Sequence, residues 1–262
     1  MASTTTGLTS SLNPAAVGQT ITYTATVTSQ YMGVVTGSVV FKAGATTLGS
    51  ATLVNGQASI NNSFSTSGTR YITATYVGDV NNAGSKSLSL QQLVNKAVSS
   101  TALVSDINPS DYAQMVTFTA TVTCVVNPTK TVTFKYGSTV LGKVALTGNT
   151  ASLSTSALGA GTDAITAVYS GDGNCAGSTS PVLAQVVNIA PTTETLTSSQ
   201  NPSAVGQPVT FTATVSSSAG VPTGKVKFMR GSTALGTATL SGGVATLTTT
   251  TLPAGSDSIT AN

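Results

Sequence analysis

The 262-residue chain carries 10 Lys and Arg against 7 Asp and Glu, a net charge of +3, with only 6% charged residues. The cations are scattered, without a basic run or aromatic interleaving, so no nucleic-acid footprint is present. Hydrophobic residues reach 40% in alternating order, which argues against disorder, and no stretch approaches the roughly 20 apolar residues that would insert in a membrane.

In chain order, Met1-Ala2-Ser3 and the threonines after it have neither a basic nor an apolar leader region, so the start reads as that of a fragment or a processed form. A Thr/Ser-rich strand leads to Asn13-Pro14 and Gly18-Gln19, and then to Thr20–Val27. There Ile21, Tyr23, Ala25 and Val27 alternate with Thr22, Thr24 and Thr26, the period of a strand with one dry and one wet face. Threonine suits the wet face, because its branched Cβ favours extended backbone and its hydroxyl stays solvated. Next come Val39-Val40-Phe41-Lys42, Leu48-Gly49, Leu53, Ala58-Ser59-Ile60, and Ile72-Thr73-Ala74-Thr75-Tyr76-Val77-Gly78-Asp79. An Asn/Gly loop then enters a last strand that ends at Leu93-Val94-Asn95.

The whole series then repeats. The Asn-Pro pairs at Asn13, Asn108 and Asn201 lie 95 and 93 residues apart (108 − 13 and 201 − 108), and the threonine strand returns as Val116–Val122 and Val209–Val215. Seven short strands per unit, frequent turn signals and no helical period predict an all-β chain of Greek-key β-sandwiches. The predicted domains are residues 1–96, 97–190 and 191–262. Lys96-Ala97-Val98 and Ile189-Ala190-Pro191 join them, too short for flexible coil, which predicts a rod on the order of 100 Å. The third repeat stops at Ile259-Thr260-Ala261-Asn262, truncated before its last strand. That strand is expected either from continuation of the natural chain or from a neighbouring molecule.

Candidate chemistry is sparse. Histidine is absent, Glu194 is the one glutamate, and six aspartates are spread over three repeats. No nucleophile triad, imidazole metal site or paired-carboxylate site can be assembled, and the chain is predicted not to be an enzyme. Asp79 with Asn81, and Asp172 with Asn174, are weak candidates for Ca²⁺ ligands. Against this stands their habit as turn formers bonded to their own backbone, and a tight calcium site wants six to eight oxygens. No other cofactor is expected. Tyr76 and Tyr169 read as core residues with the hydroxyl at the rim. The uncharged Thr/Ser faces leave few devices to protect sheet edges, which invites self-association.

At these anchors the chain resembles the bacterial immunoglobulin-like repeat domains found in tandem in large secreted and surface proteins. The carriers are Asn-Pro…Gly-Gln, Thr-x-Thr-Ala-Thr-Val, Gly-x-Val-x-Phe and Ile-Thr-Ala-x-Tyr-x-Gly-Asp. Departures are Ala113 for the Gly before Gln, Lys130 for the Gly of Thr-Gly-x-Val, and Met229 for the Lys after Phe. The resemblance implies three tandem immunoglobulin-like sandwiches and a non-catalytic extracellular or cell-surface region acting as a rigid spacer, stalk or adhesive module. Alternatives are a subunit of a self-assembling extracellular filament and an accessory binding region of a secreted carbohydrate-active enzyme. Expected partners are other copies or domains of the same protein, surface glycans or a host or cell-surface protein.

Two cysteines occur, Cys124 and Cys175, both in the second repeat. An even count within one repeat suits an oxidising location. In an immunoglobulin-like sandwich the loops that carry them cluster at one end, so a disulfide is expected, with two buried free thiols as the alternative.

Overall fold

The computed structural model describes residues 1–31 and 33–262, and among the described residues it is strand and turn without helix. The chain divides into two compact units. One holds Met1–Asp106, Thr117–Leu153 and Ala164–Leu183; the other holds Ile107–Val116, Ser154–Asp163 and Ala184–Asn262.

In the first unit, repeat one is a complete sandwich. Its strands are β1 (Thr4–Ser10), β2 (Ala15–Ala16), β3 (Ile21–Ser29), β4 (Ser38–Ala43), β5 (Thr46–Thr52), β6 (Gln57–Asn62), β7 (Gly68–Tyr76), β8 (Ser85–Lys86) and β9 (Leu90–Asn95). One sheet runs β1-β3-β6; the other runs β2-β9-β7-β4-β5, with β8 on β7. The threonine strand β3 is central to the smaller sheet. Ile21, Tyr23, Ala25 and Val27 pack on Val39, Phe41, Ile72, Ala74 and Tyr76 of the facing sheet. Burying each large apolar side chain contributes about 1.5–3 kcal/mol, so the strict alternation fixes the register. On the wet face, hydroxyls bond across strands, Thr5 to Thr28 at 2.7 Å and Thr24 to Ser59 at 2.9 Å.

Repeat two supplies β10 (Ser100–Ser105), β11 (Ser110–Asp111), β12 (Val116–Thr123), β13 (Thr131–Tyr136), β14 (Thr139–Ala145), β15 (Thr150–Thr155), β16 (Gly161–Tyr169), β17 (Ser178–Thr179) and β18 (Leu183–Asn188). Within the first unit β10 pairs β12, and β13 pairs both β14 and β16. Within the second unit β11 pairs β18 in parallel, as β2 pairs β9 in repeat one.

The second unit also holds repeat three: β19 (Thr193–Ser198), β20 (Val209–Ser216), β21 (Lys225–Arg230), β22 (Thr233–Thr239), β23 (Val244–Thr249) and β24 (Ile259–Ala261). Its sheets run β19-β20-β23 and β22-β21-β24 over a core of Val209, Phe211, Ala213, Val226 and Phe228. The replaced Lys leaves the local geometry unchanged, since a register shift follows Phe41, Phe134 and Phe228 alike.

Two recurrent signals acquire reasons. The Leu-Gly glycine lies under an apolar side chain of the β-hairpin that follows: a Cβ on Gly142 would meet Leu153 Cδ1 at 2.7 Å, and one on Gly236 would meet Leu247 Cδ1 at 2.8 Å. The Asn-Pro peptide is cis in all three repeats. Its asparagine clamps the last strand: Asn13 Nδ2 donates to the Gln91 carbonyl, and its Oδ1 accepts from the Leu93 amide. Asn108 does the same to Ala184 and Val186. Inside that clamp sits a fully buried glutamine. Gln92 accepts from the Ser10 hydroxyl and donates to the Leu12 carbonyl; Gln185 donates to the Ile107 carbonyl.

Candidate functional site

The Gly-Asp turns are built from the end of β7 and of β16. Gly78 and Gly171 take left-handed φ values of 90° and 71°, where the chain folds back so closely that a Cβ on Gly171 would lie 2.7 Å from the Gly177 amide nitrogen. Only glycine meets both demands. This reversal aims backbone N–H groups at the following carboxylate. Asp79 Oδ1 accepts from the amides of Asn81 and Asn82 and from Asn82 Nδ2; Oδ2 accepts from the Thr36 amide and hydroxyl. Asp172 Oδ1 accepts from the amides of Asn174 and Cys175, and Oδ2 from the Thr129 amide, the Thr129 hydroxyl and the Tyr169 hydroxyl.

The Thr36 amide is the main group holding the Asp79 carboxyl below the usual carboxylate range, followed by the Asn82 side chain. For Asp172, burial opposes ionisation most, but the amides of Cys175, Asn174 and Thr129 together outweigh it and hold the carboxyl low. Burial, then the Asp172 carboxylate, pushes Tyr169 up to about 12. The tyrosine side chain is almost fully buried, and its hydroxyl reaches the acidic turn rather than the rim.

The four residues named as weak calcium candidates make these bonds in the structure. Asp79 and Asp172 are ringed by hydrogen-bond donors, which favour the ionised carboxylate. The Asn81 amide closes its turn, and Asn174 Oδ1 turns away to accept the Ser67 amide of repeat one at 3.0 Å. Among the described residues no group of three or more His, Cys, Asp or Glu side chains comes together as a metal site.

Cys124 and Cys175 form a disulfide, with Cα atoms 6.4 Å apart and a sequence separation of 51. The bond ties the loop after β12 to the acidic turn after β16. That loop pair receives the end of repeat one. Val17 and Val94 of repeat one are buried in a cluster with Ala97, and Phe64, Cys124 and Val126 pack against it. Val125 closes over Gly18, where a Cβ would meet its Cγ2 at 2.9 Å. Ser67 adds two bonds, its amide to Asn174 Oδ1 and its hydroxyl to the Gly173 carbonyl at 2.6 Å. On the repeat-one side, Arg70 lies 5.5 Å over the Phe64 ring and bonds Thr66, which steadies the loop bearing Phe64 and Ser67.

Sequence reasoning brought the two cysteines and the acidic turns forward but did not single out Val17, Phe64 or Ser67. Their signal was present: Phe64 is an aromatic in a Ser/Thr loop outside the alternating strands. In the second unit a cleft of about 710 Å³ opens in repeat three, lined among others by Leu196, Val205, Phe211, Asp257 and Ile259. Its charged group, Asp257, stands 3.9 Å from Arg230.

The model of the bacterial Ig-like domain (group 3) family matches residues 8–95, 103–188 and 196–262. No curated protein sequence matches the chain significantly. Among solved structures, the fibronectin(III)-like modules of Clostridium thermocellum CbhA are similar at 20% identity, over 70% of this chain and 94% of theirs, with a TM-score of 0.32. The D1–D4 ectodomain fragment of ICAM-5 is similar at 14% identity over 98% of this chain and 74% of that one, TM-score 0.48. The D0–D1 domains of intimin share 20% identity over 68% of this chain and 97% of theirs, TM-score 0.28.

Proposed function

Because the chain belongs to the bacterial Ig-like domain (group 3) family through all three repeats, we propose that it is a non-catalytic extracellular repeat region that acts as a spacer or adhesive stalk at a bacterial surface. The joint between the first two repeats is the observation that carries this reading. A spacer must hold neighbouring modules in fixed register, and here seven or more side chains of two repeats interlock where a tether would leave them free. The reading is supported further by chemistry. The most perturbed carboxylates are spent on their own backbone amides, and the chain has no histidine to pair with a nucleophile. Domains of this fold are generally non-catalytic, and those of this family belong typically to extracellular or surface proteins. The disulfide fits an oxidising compartment. No helix of the described residues is long and apolar enough to cross a membrane.

Its partners in this role are other domains or copies of the same protein and the glycans or proteins of a contacted surface. Analytical ultracentrifugation with negative-stain microscopy tests the reading. Discrete monomers across the concentration range support a spacer, whereas regular fibres would make the chain a filament subunit. Binding of the purified chain to a glycan array or to intact cells then distinguishes an adhesive module from a bare spacer.

A further inference from the structure

We infer that the Cys124–Cys175 disulfide acts on the joint rather than on the sandwich: it holds the two loops of repeat two in the arrangement that receives the end of repeat one. Repeat one shows that the sandwich does not need the bond. Its turn closes on Asp79 without sulfur, with Asn82 standing where Cys175 stands and returning two side-chain bonds to the carboxylate. Ser29 occupies the place of Cys124, and the core around Tyr23, Phe41 and Tyr76 is complete. In repeat three the corresponding residue is Ser217.

What repeat two has in addition is a load on that end. The loop residues that receive Val17, Gly18 and Ser67 of repeat one lie within two positions of a bonded cysteine. Val125 and Val126 follow Cys124, Gly173 and Asn174 precede Cys175, and Cys124 itself packs with the buried Val17 and Val94. Asp172 fixes the acidic turn through the Cys175 amide, and the loop 124–128 is tied to that turn at its far end through Thr129 and at its near end by the disulfide, whose Cys175 sulfur also lies against the Val126 carbonyl. Cutting the bond therefore frees the stretch bearing Val125 and Val126 to move independently of Asn174. The apolar and the polar halves of the receiving surface then no longer stand in one register, and the contacts of the first repeat become independent and weaker. The device is a staple beneath a docking surface, and it makes the stiffness of this joint depend on the oxidation state of one cysteine pair.

Amide hydrogen exchange on the whole chain tests this. The Ser67 amide reports the joint, and amides within β12 and β16 report the sandwich of repeat two. In a Cys124→Ser/Cys175→Ser variant, Ser67 exchange should rise at least about tenfold while β12 and β16 keep their protection. Reducing the wild-type chain with a dithiol, which takes up the disulfide's place by giving two electrons and two protons and becoming a disulfide itself, should reproduce the pattern. Asn174→Ala sets the scale, because it removes the Ser67 acceptor with the disulfide intact. Unchanged Ser67 protection in the variant and in the reduced chain overturns the proposal. So does a loss spread evenly over β12 and β16, or an unfolded second repeat, since either would make the bond a staple of the sandwich itself.

Discussion

The same structural positions meet opposite fates in repeats one and two. At the end of repeat one, Val17 is 3% exposed, Gly18 lies under Val125, and Ser67 bonds into the next repeat. At the matching positions of repeat two, Tyr112 is 46% exposed, Ala113 replaces the glycine, and Ala157 and Ala160 stand in solvent where repeat one has Phe64 and Ser67. The strands beneath are near copies, with Val94 and Val187 both buried at the end of the last strand. Joint chemistry is therefore written in a few rim residues, independent of the core that makes the fold. A family of nearly identical sandwiches can vary the stiffness of each junction without touching a core position.

The largest effect should come from the turn that underlies the receiving surface. Asp172→Ala leaves the amides of Thr129, Asn174 and Cys175 and the Tyr169 hydroxyl without their acceptor, and should cost repeat two about 3 kcal/mol or more. Calorimetry of the whole chain, with hydrogen exchange to assign transitions, checks this; a loss below about 1 kcal/mol would mean that water replaces the carboxylate easily. The same turns set the pH response. Both carboxyls are held low in the folded state, so their stabilisation is present above the unfolded carboxyl value near about 4 and is lost as pH falls below it. Tyr23, Tyr76 and Tyr169 are pushed up to about 12, Tyr23 by burial alone, so their contribution is full below about 10 and is lost as pH rises from there. A melting temperature that is flat from about pH 5 to 9 and falls on both sides is the expected profile, followed by circular dichroism.

The next effect tests the rim directly. Val17→Ala empties part of the buried joint cluster and should lower stability by about 1–2 kcal/mol while speeding Ser67 exchange. Tyr112→Ala at the matching position of repeat two should change stability by less than about 0.5 kcal/mol. Equal effects at the two sites would erase the distinction between the junctions.

Much of this architecture was legible because strand alternation and repetition are properties of the sequence itself. Thr20–Val27 declares its inner face, and its three copies declare the modules. The cysteines could be brought together because their loops sit at one end of the fold. The chemistry of the acidic turns was harder to read, since an aspartate oxygen can accept an N–H or bind a cation, and only the backbone reversal at Gly78 and Gly171 decides that the amides point inward. Gln92 and Gln185 occupy inward positions that an alternation pattern reserves for apolar residues, because the clamp around Asn13 and Asn108 supplies their partners. Val17 directly precedes the Gly18-Gln19 pair. Its burial comes from another repeat, which no local pattern encodes.

The smallest effect concerns two departures from the family pattern in repeat two. Ala113 and Lys130 stand where repeat one has Gly18 and Gly37 and repeat three has Gly206 and Gly224, and both keep the left-handed backbone, with φ of 66° and 72°. A residue with a Cβ pays for that conformation in contact with its own carbonyl, by roughly 1–2 kcal/mol, whereas glycine does not. Glycine in turn leaves the unfolded chain more freedom, which offsets part of the gain. Ala113→Gly and Lys130→Gly should each stabilise repeat two by about 0.5–1 kcal/mol, the strain term exceeding the entropy term. The two sites also differ from each other. Lys130 accepts the Leu146 amide on its carbonyl and lies beside the Asp172-bonded Thr129, so its gain should appear in the acidic turn as well, as slower exchange of the Thr129 amide. Ala113 lies in the turn between Tyr112 and Gln114, and its replacement should leave Thr129 exchange untouched. Destabilisation by either glycine in whole-chain calorimetry would show that repeat two has relaxed around its side chain, and that the left-handed positions are no longer a cost it carries.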